Sequence, residues 1–337
     1  MAYADKIIFN DIKYDKVYKG SELVVETGRE PAKILSFTAL ENSVIRFVKA
    51  TDYPDVFPIN MQYMFENEHS FTDFGTDSIR LNKGEKIYVK GDNPNGLSYY
   101  DVDTELWKHS HFIIDLGKVE AGGNIMSIID GGSCTRMDVP EYCFYSLFKD
   151  CTALVTAPAL QAETLANYCY GEMFSGCTSL INTPSLLSKT LAPYCYYAMF
   201  SGCTSLTTAY DLPATSLAYD CYLAMYRDCT SLTKAPEILA TRLASGCFYM
   251  MFQGCTSLTT APELKSTTSV EHCYWNMFEN CVNLNYVKCA AKEYDALNFI
   301  DWLKNVSKVG DFYCYDSSIF SIGDSGIPDG WTVHSEI

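Results

Sequence analysis

Positive charge is scarce in this sequence, and the scarcity limits the possible partners. The 337 residues include 25 Lys and Arg against 41 Asp and Glu, which gives a formal net charge of −16. Proteins that bind nucleic acids neutralise phosphates with clustered Lys and Arg, and anionic membrane surfaces attract the same residues. The sequence contains no basic stripe of this kind. It therefore argues against a nucleic-acid partner and against an anionic membrane surface.

Long hydrophobic runs and catalytic motifs are also missing. No run of 18 apolar residues occurs, so the sequence predicts no membrane insertion. The five His form no HExxH motif, and the chain has no GxSxG, P-loop or C-x-x-C motif. We therefore predict that the protein is not an enzyme, with no catalytic residues, no cofactor and no metal.

The opening residues carry no apolar core of a secretion signal. They read MAYADKIIFNDIKYDKVYKG and become polar at once. Two explanations stay open. A signal upstream of this sequence has been removed, or the protein is made in a cytosol and leaves it without a secretion signal.

Cysteine, in contrast, is abundant and strictly spaced. Twelve of the 15 Cys open or close six nine-residue segments that begin every 26 residues. The segments are CFYSLFKDC from Cys143, CYGEMFSGC from Cys169, CYYAMFSGC from Cys195, CYLAMYRDC from Cys221, CFYMMFQGC from Cys247 and CYWNMFENC from Cys273. A fixed period of about 20–50 residues indicates a solenoid, in which each repeat forms one coil of a stack.

The pattern inside each repeat predicts a helix followed by a strand. Positions are counted from the opening Cys, which is position 0. Leu or Val at −4 of the first five repeats, Cys at 0, Met or Leu at +4 and Cys at +8 recur at helical spacing, and Gly at +7 suits a helix C-cap. The next segment, of the form TSLTTAPEL, is typical of a short strand that ends at Pro +15. Stacked coils would bury their apolar sides in one continuous core.

We expect the repeated Cys to remain free thiols. Two Cys eight residues apart on a helix would lie about 12 Å apart, which is too far for a disulfide. Cys of neighbouring coils would stack into ladders that have no unique pairing. Because Cys packs as a small buried hydrophobe, such ladders suit the core of a stack.

Residues 140–290 resemble the BspA type of the leucine-rich repeat family. The resemblance rests on runs of the MFxGCTSL form, such as MFSGCTSL from Met173 and from Met199, and on the unbroken register. It implies a right-handed solenoid with a binding or adhesive role, and it does not imply an enzyme. The sequence departs from the pattern at Tyr210, where Pro is expected. It departs again at Tyr226-Arg227-Asp228, where most coils carry Phe-x-Gly.

Four parts are predicted, which together make a multidomain α+β protein. They are an N-terminal attachment segment (1–30), a β-sandwich of about 100 residues (31–132), the six-coil solenoid (133–288) and a C-terminal cap (289–337). The sandwich segment resembles the domain that precedes such repeats in proteins of gut bacteria. Residues 133–142 are expected to shield the first coil, since an open end exposes the core.

The two ends of the chain carry further local patterns. Strand-like runs on either side of Lys19-Gly20-Ser21 predict a hairpin. Residues 6–27 resemble short N-terminal modules of phage virion proteins; the alternative is a hairpin that belongs to the next domain. The apolar pattern of Tyr294–Val306 predicts a helix within the C-terminal cap.

The departures from the repeat supply the candidate binding residues, because Tyr and Arg are favoured at binding hot spots. They are Tyr210, Asp211, Tyr226, Arg227 and Asp228, together with Lys234 in the polar row at +13. Neutral drift within a repeat is the alternative. A second candidate is a set of outward-facing aromatic residues, for which the alternative is partial burial between coils: Tyr142, Tyr145, Tyr168, Tyr194, Tyr197, Tyr249 and Trp275.

A cation site is a third candidate, near the end of the sandwich segment. Asp101, Asp103 and Glu105 alternate along the chain and precede His109 and His111. Alternating residues of a strand share one face, which would bring like side chains together. The alternative is a solvated loop followed by a strand edge.

These observations favour a recognition protein, and three settings stay open. The first is a phage virion component, on a tail or capsid, that is anchored through its N-terminal part and displays the solenoid toward a host-surface protein or glycan. The second is a bacterial cell-surface adhesin, and the third is an intracellular scaffold. A homo-oligomer also stays open, because symmetric assembly is common in such structures.

Overall fold

The computed structural model describes residues 6–9, 12–19, 22–26, 34–50, 59–75, 77–101 and 105–335. Within these ranges the regular structure is almost all strand: β1 (Lys6–Phe9), β2 (Ile12–Lys19), β3 (Glu22–Glu26), β4 (Leu35–Ala39), β5 (Ser43–Val48), β6 (Met61–Phe65), β7 (Thr72–Asp73), β8 (Ile79–Leu81), β9 (Lys86–Gly91), β10 (Ser98–Asp101), β11 (Leu106–His109), β12 (His111–Leu116), β13 (Val119–Gly122), β14 (Leu154–Thr156), β15 (Tyr286–Cys289), β16 (Asp311–Cys314) and β17 (Thr332–His334). Short 3-10 helices occur at Ile125–Ile128, Ala296–Asn298 and Ser317–Ile319.

In the described part of the chain the strands form five sheets. At the N-terminus, β1, β2 and β3 form an antiparallel sheet, with Lys19 opposite Glu22 where the sequence predicts a hairpin. The next sheets have the orders β14-β13-β4-β9-β6-β7 and β12-β5-β8, and β10 pairs with β11. The last sheet is the parallel β15-β16-β17.

An aromatic contact joins the sheet that contains β4 to the sheet that contains β12. Phe37 on β4 meets Phe112 on β12, with ring centroids 5.1 Å apart, and Phe112 packs at 5.0 Å on Phe47, its cross-strand partner on β5 of the same sheet. All three side chains are buried. The alternation of buried and half-buried residues along β5 follows the period of two of a strand with one face in a core.

One sheet crosses the boundary predicted between residues 132 and 133. β13 pairs antiparallel with β4 and parallel with β14, which belongs to the first repeat. The part before the repeats and the repeats themselves therefore share a sheet, and they also share one continuous hydrophobic core.

The first coil is covered by strands of the preceding part, and the prediction that residues 133–142 shield it is wrong. The amides of Leu97 and Phe112 donate to the carbonyls of Cys143 and Leu147, at 2.9 and 2.8 Å. Tyr142 instead donates to Asn167 of the second coil, so it belongs to the first coil itself. Edge strands supply free backbone groups in a row, and this makes them a better cap than a loop.

The repeats stack with their backbones in parallel register. Isolated bridges join residues 26 apart in successive coils, as in Leu160 with Leu186 and Thr190 with Ser216. Side chains at the same repeat position therefore lie above one another, and this produces ladders through the core.

The predicted helix of each repeat is absent: the segment from −1 to +8 is a ribbon of consecutive turns. Amides at even positions donate three residues back, as Met173 does to Tyr170 at 3.3 Å. Amides at odd positions donate to the next coil, as Phe174 does to Met199 at 2.9 Å. Every fourth residue adopts a left-handed conformation, for example Glu172 with φ 50°.

This turn ribbon has the same spacing of four as the predicted helix, which explains the error. A helix would use all its amides within the coil. The ribbon uses half of them to bond the next coil, and the left-handed residue at −1, +3 and +7 closes each turn. Gly176, with φ 74°, therefore serves a turn within the ribbon and not a helix cap.

The stack also extends beyond the six predicted coils, so the helix predicted over Tyr294–Val306 is wrong as well. Tyr274 donates to Asn298 at 3.0 Å and Phe278 donates to Trp302 at 2.9 Å, in the pattern of the earlier ribbons. Asp301 and Asn305 take the left-handed positions. These residues form a seventh ribbon, and β16 and β17 continue the row of parallel strands beyond it.

Two aromatic ladders run through the stack, and one of them begins before the first repeat. Rings at +5 stack almost parallel, for example Phe174 and Phe200 at 5.6 Å and 2°. Phe112 of β12 starts this ladder by stacking on Phe148 at 5.2 Å. The second ladder contains the rings at +1: Phe144, Tyr170, Tyr196, Tyr222, Phe248 and Tyr274.

The second Cys of each repeat has a specific role in the stack. The Cys203 thiol donates to the Phe174 carbonyl at 3.1 Å, and the Cys229 thiol donates to the Phe200 carbonyl at 3.1 Å. The same bond recurs at +8 in every repeat, so each thiol ties its coil to the preceding one, and in the first coil to Phe112 of β12. Burial raises the pKa of these thiols, which remain protonated donors.

Candidate functional site

Two grooves lie on the exposed side of the short strands, which we call the strand face (positions +12 to +16 of the repeats). The first groove has a volume of about 410 Å³ and belongs to the first three coils. The second has a volume of about 520 Å³ and lies on later coils. Buried prolines at +15 form part of both grooves: Pro158 and Pro184 in the first, Pro236 and Pro262 in the second.

The two grooves differ in charge although they occupy equivalent positions. All residues that line the first groove are uncharged: Thr156, Ala157, Pro158, Ala159, Leu160, Gln161, Asn182, Thr183, Pro184, Ser185, Leu187 and Tyr210. The second groove has Asp211, Lys234, Glu237 and Glu263 in its lining. Two of these carboxylates are paired, Glu237 with Lys265 at 2.6 Å and Glu263 with Lys288 at 2.8 Å.

The structure divides the six predicted binding residues between two surfaces. Tyr210, Asp211 and Lys234 are exposed on the strand face and line the grooves. Arg227 and Asp228 are exposed at +6 and +7 of the turn ribbon, where they form an ion pair at 3.4 Å. The structure therefore does not bring the six residues together in one site.

Tyr226 is buried and cannot contact a partner. Its prediction as a binding residue is therefore wrong. Its side chain is 0% exposed and stacks between Phe200 and Phe252 in the +5 ladder. Its hydroxyl is buried without a hydrogen-bond partner in the described part of the chain. Tyr226 therefore takes the place of the usual Phe in the buried +5 ladder.

Most of the predicted outward-facing aromatic residues are half-buried and pack between coils, and Tyr145 is buried. Tyr168 stacks on Tyr142 at 5.3 Å and on Tyr194 at 4.3 Å, and Tyr249 stacks on Trp275 at 5.1 Å. Because each ring covers the face of the next, these rows present mainly ring edges to solvent. The alternative of partial burial describes them better than a flat aromatic surface.

A half-buried carboxylate, that of Glu172, organises the polar side chains near the start of the stack. Glu172 accepts hydrogen bonds from the Tyr145 hydroxyl and from Lys149 Nζ, both at 2.9 Å, and from Ser146 Oγ at 3.2 Å. Burial raises the pKa of Tyr145, and Glu172 raises it further. The cluster holds the first two coils together through side chains.

The candidate cation site is not assembled in the described residues. Asp103 lies outside them, and Asp101 pairs with Leu106 in the hairpin of β10 and β11. The His109 and His111 rings lie 5.1 Å apart, and the pKa of each is lowered by burial. Within the described ranges, no three His, Cys, Asp or Glu side chains are close enough to hold a metal ion.

The groove residues that sequence reasoning missed include Gln161 and Leu187, whereas Asn182 belongs to the polar row at +13. They are ordinary members of the repeat, and no departure from the pattern marks them. Only stacking places them beside Tyr210. Among the described residues, no helix is long and apolar enough to cross a membrane.

Comparison with known proteins gives a structural likeness only. No protein-family model and no curated protein matches the sequence. Among solved structures, the chain is similar to the T. pallidum leucine-rich repeat protein TpLRR, with 19% identity and a TM-score of 0.34, over 73% of this chain and 98% of that one. The likeness is to the leucine-rich repeat kind of protein and extends to no function.

Proposed function

We propose that this is a non-enzymatic recognition protein that presents its strand face to a partner. The observation that carries the proposal is the pair of grooves on one face of a rigid stack. Every coil is bonded to its neighbours through backbone amides, so side chains on this face hold fixed spacings. Pre-organised surfaces bind with a smaller loss of conformational entropy, which suits recognition.

We propose further that the protein is a phage virion component, on a tail or capsid, with a BspA-like leucine-rich repeat solenoid directed at a host-surface protein or glycan. The resemblance of residues 6–27 to virion modules supports this setting, with the N-terminal part as the anchor. The alternative is a bacterial cell-surface adhesin. The resemblance of the repeats to the BspA type supports that alternative equally.

Locating the protein in its native source separates these two settings. Mass spectrometry of purified phage particles should detect the protein at a stoichiometry typical of a structural component. Detection by surface labelling of intact bacterial cells, with none in particles, would replace the virion setting by the adhesin. Detection only in the cytosol would contradict both and favour an intracellular scaffold.

Binding of the purified full chain to candidate host cells tests the recognition role directly. Labelled protein should bind, and substitutions on the strand face such as Y210A or K234A should weaken binding. R227A provides a matched control, because Arg227 is exposed on the turn ribbon instead. Equal loss from all three variants, or no binding to any cell tested, would contradict a role for the strand face.

A further inference from the structure

The first groove is built around the one coil in which an aromatic residue replaces proline. At +15 the first five coils carry Pro158, Pro184, Tyr210, Pro236 and Pro262. Tyr210 is 57% exposed, and its backbone amide donates to Thr183 Oγ1 at 3.0 Å, a bond that proline could not make. The ring therefore stands at one end of the groove on an anchored backbone.

Two side-chain amides in the groove are held with their nitrogens unused. Gln161 Oε1 accepts from Asn124 Nδ2 at 2.8 Å, and Asn182 Oδ1 accepts from the Thr208 hydroxyl. In the described part of the chain, neither amide nitrogen donates to a protein group. Because each oxygen is already bonded to a neighbour, the NH₂ groups are oriented donors for a ligand.

The lining of this groove is neutral in a strongly acidic protein. It combines an exposed tyrosine ring, two amides and the hydroxyls of Thr156, Thr183 and Ser185. Amides and hydroxyls hydrogen-bond sugar hydroxyls, and an aromatic ring packs against the C–H face of a sugar ring. The volume of about 410 Å³ falls within the range of about 300–1,000 Å³ that is typical of small-ligand sites.

We infer that the first groove binds a short neutral oligosaccharide, with Tyr210 as the stacking surface and Gln161 and Asn182 as hydrogen-bond donors. This inference rests on the proposed recognition role and names its ligand. The second groove has the same position in its coils but four charged side chains and no aromatic residue. It therefore lacks the features that suit an uncharged sugar.

An extended peptide fits this groove less well. Peptides commonly bind by adding a strand to a free sheet edge. Here the strand backbones are occupied in pairing coil with coil, as Ile181 donates to Val155 at 3.2 Å and Thr207 donates to Ile181 at 3.0 Å. A peptide would depend on side-chain contacts alone, and the lining has no charged group to select one.

The test uses the full chain and a panel of immobilised oligosaccharides, both neutral (maltotriose, cellotriose, triacetylchitotriose, lacto-N-tetraose) and anionic (3′-sialyllactose). The best neutral binder is then titrated calorimetrically. We expect binding to a neutral member, a loss of affinity of roughly tenfold or more in Y210A, and a similar loss in N182A. Y210F should bind almost as well as the wild type because it keeps the ring, and R227A, which changes an exposed residue of the turn ribbon, should bind unchanged.

Several results would overturn the inference. They are the absence of any neutral binder, a preference for 3′-sialyllactose, or unchanged affinity in both Y210A and N182A. Melting temperatures establish that each variant is folded, and if Y210A is not, N182A and Q161A provide the test. Binding to host cells without binding to any oligosaccharide would refute the sugar site and leave the recognition role intact, whereas a failure of both would refute both.

Discussion

The carboxylate of Asp228 lies where a side chain on Gly254 would have to extend. Both residues are at +7 of adjoining coils, with φ 58° and 75°, and a Cβ added to Gly254 would collide with Asp228 Oδ1. Asp150 has the same relation to Gly176. Asp228 stands at +7, where several coils carry Gly. Its side chain fits because the next coil has Gly254 at the same position and leaves room for the carboxylate.

Replacing Gly254 with Ala is expected to destabilise the stack moderately. The added Cβ forces Ala into a left-handed conformation and also pushes aside the exposed Asp228 carboxylate, which adds only a smaller cost because that side chain can rotate, so we expect a loss of about 2–3 kcal/mol in the free energy of unfolding. Chemical denaturation of G254A and of the wild type measures this.

Two matched variants distinguish the contact with Asp228 from the strain of the left-handed backbone. In G202A the new Cβ makes only ordinary contacts, near 3.7 Å from the Gly176 amide nitrogen, so it should cost only about 1–2 kcal/mol. The double variant D228G/G254A should cost about as little as G202A. If G254A and G202A lose equal stability, the collision with Asp228 is not real.

Replacing Tyr226 with Phe is expected to stabilise the protein. The substitution removes a buried hydroxyl that has no partner in the described residues and keeps the ring in its ladder, so we expect a gain of about 1 kcal/mol. The reciprocal change F200Y, one coil earlier, should destabilise. A loss of stability in Y226F would show that the hydroxyl has a partner.

The native protein is expected to react slowly with thiol reagents. Fourteen of the 15 Cys are buried and only Cys134 is half-buried, and burial raises the pKa of the ladder thiols, to about 12 for Cys169 and Cys221. Since the thiolate is the nucleophile, a colorimetric titration should detect about one thiol in the native state. All should react after denaturation.

The C134S variant is the control for this titration. It should remove the fast-reacting thiol and leave the slow ones unchanged. Rapid reaction of many thiols in the native C134S protein would contradict the buried ladders.

Stability is expected to fall below pH 6.5 through His109 and His111. Burial lowers the pKa of both, and Lys149 and the neighbouring His111 lower that of His109 further, against an opposing effect of Glu172. The unfolded chain then takes up protons at a higher pH than the folded one. The stabilisation from these two neutral histidines is therefore complete above their ordinary pKa of 6.5. It is lost as the pH falls toward their lowered pKa values in the folded protein.

Melting temperatures at about pH 7.5 and pH 5 measure this effect. The double variant H109Q/H111Q, which cannot take up these protons, should lose fewer degrees between the two conditions than the wild type. Equal losses in the two proteins would mean that these histidines are not responsible.

Residue order alone was sufficient for the repeat period and for the rows of buried Cys. A register without insertions places equal positions above one another in any stacked arrangement, so these rows follow from spacing. The departure at Tyr210 and the position of Lys234 in the polar row at +13 could also be located from the sequence, since a fixed period assigns each residue to its repeat position. Both lie exposed on the strand face.

The backbone conformation between the first and the second Cys of each repeat is decided by contacts between coils, which the sequence of one repeat does not contain. A spacing of four fits both a helix and a ribbon of turns, and only the bonds from Phe174 to Met199 and their equivalents favour the ribbon. The same dependence explains the first groove. Gln161, Asn182 and Tyr210 are separated in sequence by 21 and 28 residues and meet because stacking places their coils side by side.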